Sequence, residues 1–521
     1  MSLESVVRVL GDGNAENERN LERDFLRTPD YESVASNSRS LVLGGRGAGK
    51  SAIFRMLSRA GADEMAAADS VWSVDLSFDD VTRLKVERVA NNEGDDVPAI
   101  SRQWELAILL QCFELIMERA PSSTKRRKLL RALDDEIVKY LDRGRTRSVS
   151  VGRLGAMVEA AVNLLGRLPF KFVVTAPFLP ISIETKDTER PPELPDHDRD
   201  RAAMVESMYG VIKEGLPAGT NIRVLIDELD VAWKATTSQV ATLCGLMSAV
   251  MRVRGTLINL GMDERIAIAL FLRSDIYEIL KQRGLDDASK YRGHELHLRW
   301  NPSTLRSVLD HRLRVVDPAA QLTMRDLFTD EKISGKMIDE YLLEWITPRP
   351  RDLLTIVAEC INCARLRGSD RITKEDADSA MTFYSGWRLS VILEESRYVL
   401  PGIDDIVSSF KNGPHQYTPR EMRGHLDQAK KDYGVAWTKP RLIELLLDSG
   451  FLGVQFDGRR ANTFIWDVSP GHSLGPREGV GQTKDVWVIH PPSGGPWRSI
   501  RRRAGGARPA SPGVKRLPGG D

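Results

Sequence analysis

Gly44-Gly45-Arg46-Gly47-Ala48-Gly49-Lys50-Ser51 fits the spacing G-x-x-x-x-G-K-[ST] without a gap. Each residue type has a chemical reason to be there. Glycines let the backbone curl so that its N–H groups point inward at phosphate oxygens. A helix beginning at the lysine aims its partial positive N-terminus at the same oxygens. Lys50 is placed to bridge the β- and γ-phosphates of ATP, Ser51 to ligate Mg2+, and Ala52 to carry the loop into the helix. Alone, the run could be a glycine-rich turn with an incidental lysine, so its flanks decide. Leu41-Val42-Leu43 is a short apolar run ending in glycine, as a buried parallel strand does, and Ala52-Ile53-Phe54 opens a helical pattern.

A second constellation is Val224-Leu225-Ile226-Asp227-Glu228, an apolar strand ending in two carboxylates. At the carboxyl end of a parallel strand such acids reach the ligand crevice. Asp227 is the expected Mg2+ acid, direct or through water. Glu228 is the expected base that polarises the attacking water, which favours hydrolysis over phosphate transfer. Asp230 is open between a role in the site and a cap for the next helix. The apolar run Ile266 to Leu272 ends in Arg273-Ser274-Asp275. Ser274 could sense the γ-phosphate or cap the helix at Ile276, with Asp275 the rival cap. Lys290, Tyr291 and Arg292 precede a strand-like His294 to Trp300. Arg292 there is either a finger for a neighbouring subunit's ATP or a surface base. Thr347-Pro348-Arg349-Pro350-Arg351-Asp352 opens a helix, and Arg351 could point back at the γ-phosphate, with Arg349 the alternative.

The elements that must position these residues follow from periodicity. Strands are expected at 41–43, 71–76, 222–226, 266–272 and 294–300, and helices at 52–60, 100–119, 201–214, 237–254 and 276–282. The alternation predicts an α/β fold: a P-loop parallel sheet with helices on both faces. Residues 302–384 read as all helical (304–314, 333–345, 351–367, 374–384), a helical lid. Residues 403–411, 418–431 and 439–449 read as three helices, with 452–456 and 462–468 as a hairpin whose tip carries Arg459 and Arg460. That order predicts a C-terminal winged-helix-like domain, binding DNA or protein; in a DNA-binding version the Lys439/Arg441 helix enters the major groove. The division expected is an N-terminal lead-in (1–38), an ATPase core (39–300) with a helical insertion at about 121–200, a lid (301–386), the winged-helix-like domain (387–470) and a basic, disordered tail (471–521), with 486–489 as a possible exception.

Composition sets the outer bounds. The 521 residues carry 74 basic and 73 acidic side chains, so net charge argues for neither nucleic acid nor membrane. Any DNA contact must be local, through 387–470 or the tail with Arg498, Arg501, Arg502, Arg503, Arg508, Lys515 and Arg516. The four cysteines suit a reducing cytoplasm, and Cys360-x-x-Cys363 reads as helix-core packing rather than a metal pair. The polar N-terminus predicts no signal peptide, and no apolar run suggests a membrane span.

Gly44 to Ser51, Leu225-Ile226-Asp227-Glu228-Leu229-Asp230, Arg273-Ser274-Asp275 and Arg349-Pro350-Arg351-Asp352 together resemble the AAA+-like and STAND-like P-loop ATPases. More narrowly, the loop, the D-E-x-D-x-x-W stretch and the R-P-R-D turn are similar to a bacterial P-loop ATPase family described as FunZ-like. The resemblance spans about 40–390 and does not extend to the insertion. The lid and following unit are also similar to origin-recognition ATPases, where a winged helix follows the lid. The resemblance implies Mg-dependent ATP hydrolysis coupled to a conformational switch, with Arg351 as second sensor and Arg292 as finger. It also implies a homo-oligomer or effector partner, and a place in bacterial anti-phage defence or DNA-linked processes. The alternative is a nucleotide-gated DNA-binding regulator with negligible turnover.

Overall fold

The computed structural model describes residues 3–63, 70–77, 97–119, 197–434, 442–443, 446, 451–455 and 486–489, less positions 12–14, 16–17, 19, 231–232, 286–287, 317, 320, 397–401, 412 and 415. The expected 121–200 insertion apart from 197–200, the hairpin tip with its strand at 462–468, Lys439, Arg441 and the basic tail residues lie outside them.

Five parallel strands form the central sheet: β1 (Leu41–Gly44), β2 (Ser70–Ser77), β3 (Thr220–Asp227), β4 (Ile266–Arg273) and β5 (Glu295–His297), in the order β2-β3-β4-β1-β5. Side-chain alternation along the strands sends two sets of residues to opposite faces. Val42, Leu225, Ala269 and Phe271 pack with Ile53, Met56 and Leu57 of α4 (Lys50–Asp63). Leu21 of α2 (Leu21–Asp24) and Tyr31 and Val34 of α3 (Pro29–Ala35) complete that layer. Leu41, Leu43, Val224, Ile226, Ile268, Leu270 and Leu272 face the other way. They meet α5 (Val97–Arg119), α6 (His197–Gly215), α7 (Thr237–Asn259) and α8 (Ser274–Arg283). Each such side chain removed from water contributes about 2 kcal/mol, so this two-faced core fixes the strand register. By length and composition α7 could cross a membrane, which the sequence pattern did not suggest; here most of its apolar positions are buried in that core, while Ile258 is exposed.

The lid comprises α9 (Pro302–Val316), α10 (Ile338–Trp345), α11 (Pro350–Leu366) and α12 (Lys374–Ser396) around their own core, joined by α1 (Leu3–Leu10). Cys360 is part of that core. The expectation of helix from Ile333 is corrected. Residues Lys332–Ile333 (β6) and Lys336–Met337 (β7) form an antiparallel hairpin, because Ser334 and Gly335 both take positive φ, at 52° and 82°. Helix α12 runs past Tyr384 to Ser396, and the strand expected over 294–300 shortens to β5.

Beyond the lid come α13 (Ile403–Ser409), β8 (Gln416–Tyr417), α14 (Pro419–Tyr433), β9 (Leu452–Gln455) and β10 (Val486–Ile489). Thr418 caps α14 in a capping box with Glu421, as its Thr-Pro-x-Glu start predicts. The sheet here is antiparallel in the order β8-β10-β9: Val486–Ile489 is its central strand and β9's partner.

Candidate nucleotide site

The phosphate loop leaves β1 and enters α4 as expected. Gly47 and Gly49 take φ of 76° and 100°, a region that costs any side-chain-bearing residue. Gly47 has a second constraint: a Cβ there would lie 2.9 Å from Cβ of Arg351, so glycine lets the lid helix α11 close on the loop. Lys50 Nζ donates to the carbonyls of Gly44 at 2.9 Å and Gly45 at 3.1 Å, crossing the mouth of the loop. Trp300 braces the loop from outside, donating its indole N–H to Ala48 O at 2.8 Å.

The acid of β3 comes to the same place. Asp227 is buried, close enough to Lys50 and Ser51 for both to act on its carboxyl. Burial pushes its carboxyl above the ordinary range, opposed by the Lys50 charge and by bonds from Ser51 and the Glu228 backbone. Burial likewise pushes the Lys50 ammonium down, opposed by Asp227 and Asp230. Glu228, one residue on, is exposed and sits at φ 58°. A non-glycine residue held there costs on the order of 1 kcal/mol or more, and such strain concentrates at functional positions. The turn sets the two neighbouring carboxylates in different surroundings, one inside and one facing water.

The end of β4 differs from expectation. Arg273 pairs with Gly44 across the ladder and is itself the N-terminal flank of α8, with no side-chain cap. Ser274 is buried in the first turn, and Asp275 does not cap the helix. Instead the Arg273 guanidinium grips Asp275 at 3.0 and 2.6 Å and reaches Asp230 at 3.2 Å. Asp230 is not a helix cap either; Thr236 caps α7 in a box with Gln239. Arg273, rather than the expected Ser274, is the side chain that ties these acids together. Its signal was its place at the end of a buried strand.

The lid supplies two arginines. Arg349 flanks α11 and donates to Arg46 O at 3.1 Å, and the Arg351 backbone lies 3.5 Å from Gly47 O. The turn carrying both is fixed from behind. Tyr384 donates to buried Asp352 and accepts from Thr347 N at 3.0 Å, and Arg388 lies 3.9 Å from Asp352. Arg292 is elsewhere. It is exposed just before β5, and β5 is parallel to β1, so it lies at the sheet end away from the phosphate loop of its own chain.

From Gly47, Gly49, Lys50, Ser51 and Ala52 a cavity runs between the lead-in and the lid. Leu21, Phe25, Leu298, Val308 and Leu354 form its apolar walls. Glu18 and Arg312 close one side with a paired contact at 3.0 and 2.9 Å. The lead-in residues carried no motif and were not predicted as part of a site.

Comparison with known proteins adds a family for the lid. Residues 303–393 match the FunZ-associated C-terminal helical domain. An 80.3 kDa protein attributed to transposon gamma-delta of Escherichia coli K12 is 22% identical over 417 residues, 79% of this chain and 55% of that protein. The chain thus spans about half the length of that relative. The allergen Alt a 2 of Alternaria alternata is 24% identical over 145 residues, 27% of this chain and 76% of the allergen. Among solved structures, the Aeropyrum pernix ORC1 protein in complex with DNA aligns at 14% identity and a TM-score of 0.32, over 82% of this chain and 84% of that one. Cdc6p of Pyrobaculum aerophilum aligns at 11% and 0.30, over 93% and 96%. At such scores these superpositions bear on neither fold nor function, which rest on the sheet, the loop and the lid themselves. With its phosphate-loop sequence on a parallel sheet, the chain has a P-loop-type α/β core, and residues 303–393 behind it match the FunZ-associated C-terminal helical domain.

Proposed function

We propose that this chain binds Mg-ATP at Gly44 to Ala52, hydrolyses it, and reports the nucleotide state through its lid. The observation that best supports this reading is that Asp227, far from the loop in sequence, is buried where the Lys50 charge and the Ser51 side chain both act on its carboxyl. The Ser51 and Asp227 oxygens are the hard donor set that suits Mg2+. An ion held there would neutralise charge on the β- and γ-phosphate oxygens. The chain's own groups do the rest. Lys50 exchanges its carbonyl partners for phosphate oxygens. Glu228 accepts the proton of the attacking water. Arg351, with Arg349 behind it, brings a permanent positive charge from the lid. The apolar walls take the base. Because lead-in and lid both line the cavity, filling it draws them together, which is the switch.

The exposed place of Arg292, away from its own loop, suits a finger acting on a second copy in a homo-oligomer. The C-terminal order helix, strand, helix, strand, strand, with β10 central, suits a winged helix and gives the alternative of a nucleotide-gated DNA-binding regulator some footing. The transposon link of the Escherichia coli relative points the same way. The family resemblance supports bacterial anti-phage defence as a setting, with an effector protein as the other candidate partner.

Lys50→Ala tests the core of the reading. Equilibrium binding of Mg-ATP should weaken at least 100-fold with the fold intact; unchanged affinity would refute it.

A further inference from the structure

Arg46 occupies a variable position of the phosphate loop, yet it is the loop residue with the most distant charged partner. Its Nε lies 3.8 Å from Asp230 Oδ2, and its Nη1 lies 3.5 Å from Glu394 Oε1. Asp230 Oδ2 is in turn shared with Arg273 Nη1 at 3.2 Å. One guanidinium therefore has two carboxylates, and one carboxylate oxygen has two guanidiniums. The Arg46 carbonyl is also held, by Arg349 of the lid.

The far partner sits at a junction. Helix α12 belongs to two cores: Ala377, Ala380, Met381 and Tyr384 are buried in the lid, whereas Ile392, with Leu389 and Leu393 against it, is part of the C-terminal core. Glu394 is in the stretch of α12 that enters the C-terminal unit. The Arg46–Glu394 pair joins the phosphate loop directly to that unit.

We propose that this pair is a nucleotide-responsive latch: Asp230 positions Arg46, Glu394 competes for it, and a triphosphate in the loop releases Glu394. The proposal rests on the nucleotide reading above. Its physics is charge competition. The phosphates bring several negative charges well within a Debye length of Arg46, and they attract it while repelling Glu394. Of the two carboxylates, Glu394 is the weaker holder. Its side chain is 66% exposed against 29% for Asp230, so solvent screens its pull more strongly. Release leaves the end of α12 and the unit packed on it free to reorient.

The test is amide hydrogen exchange of residues 389–396 in the full chain, with and without a non-hydrolysable ATP analogue and Mg2+. In the wild type the analogue should raise exchange there. Glu394→Gln should show the raised exchange without analogue, gain nothing further on adding it, and bind the analogue about two- to five-fold more tightly, the range a partly exposed ion pair supports. Asp230→Asn should leave Arg46 to Glu394 and blunt the analogue-driven rise. If the analogue binds the wild type without altering exchange at 389–396, or Glu394→Gln behaves as wild type, the latch is refuted. If the analogue fails to bind the wild type at all, the nucleotide reading falls, and the latch with it.

Discussion

Glu295 shows how a single residue ties the site's edge strand into the fold. Burial pushes its carboxyl up, but hydrogen bonds from His297 and Tyr277, at 2.9 and 2.6 Å, outweigh it and hold the group below the ordinary range. A carboxyl depressed in the folded state stabilises the fold above its unfolded pKa and ceases to as pH falls through the folded one. Glu295→Gln should therefore be less stable than wild type by about 1 kcal/mol at pH 7, with the gap closing below about pH 4. Urea unfolding across pH reads this directly; a gap independent of pH would contradict it. Residue chemistry in this chain was most legible where a motif fixes both type and spacing. The loop and the strand-end acid of β3 come to one place, where Asp227 is buried beside Lys50. Arg273 was missed because a buried arginine at a strand end reads as a surface base until its partners Asp230 and Asp275 are seen.

At the scale of elements, long buried strands and helices followed from periodicity, while short ones did not. β3 and β4 were placed to within about two residues because their apolar runs have no other use. From Ile333 on, the β6–β7 hairpin reads as helix in the sequence, since Ser334-Gly335 is a weak signal beside the helical run that follows. The least legible pairing was β10 with β9 and β8, which joins residues far apart in sequence. It carries a prediction. A chain ending at residue 485 loses the central strand, leaving β8 and β9 without their partner. Hydrogen-exchange protection of α13 and α14 should then collapse while the nucleotide core keeps its own. Protection retained in α14 would contradict the β8-β10-β9 sheet.

The whole molecule brings three separate stretches to one cavity. The sheet presents the loop, the lid brings Arg351 and Leu354, and the lead-in closes the side through Glu18, paired with Arg312 of the lid. Only the first two were legible, because a lead-in contributes shape rather than a motif. The claim that unites the three is hydrolysis by Glu228 of ATP held at Lys50. The direct measurement is steady-state ATP turnover of Glu228→Gln beside its ATP affinity. The account predicts turnover lowered about 100- to 10,000-fold with affinity kept or raised, so that bound ATP is trapped. Turnover at the wild-type rate would contradict it.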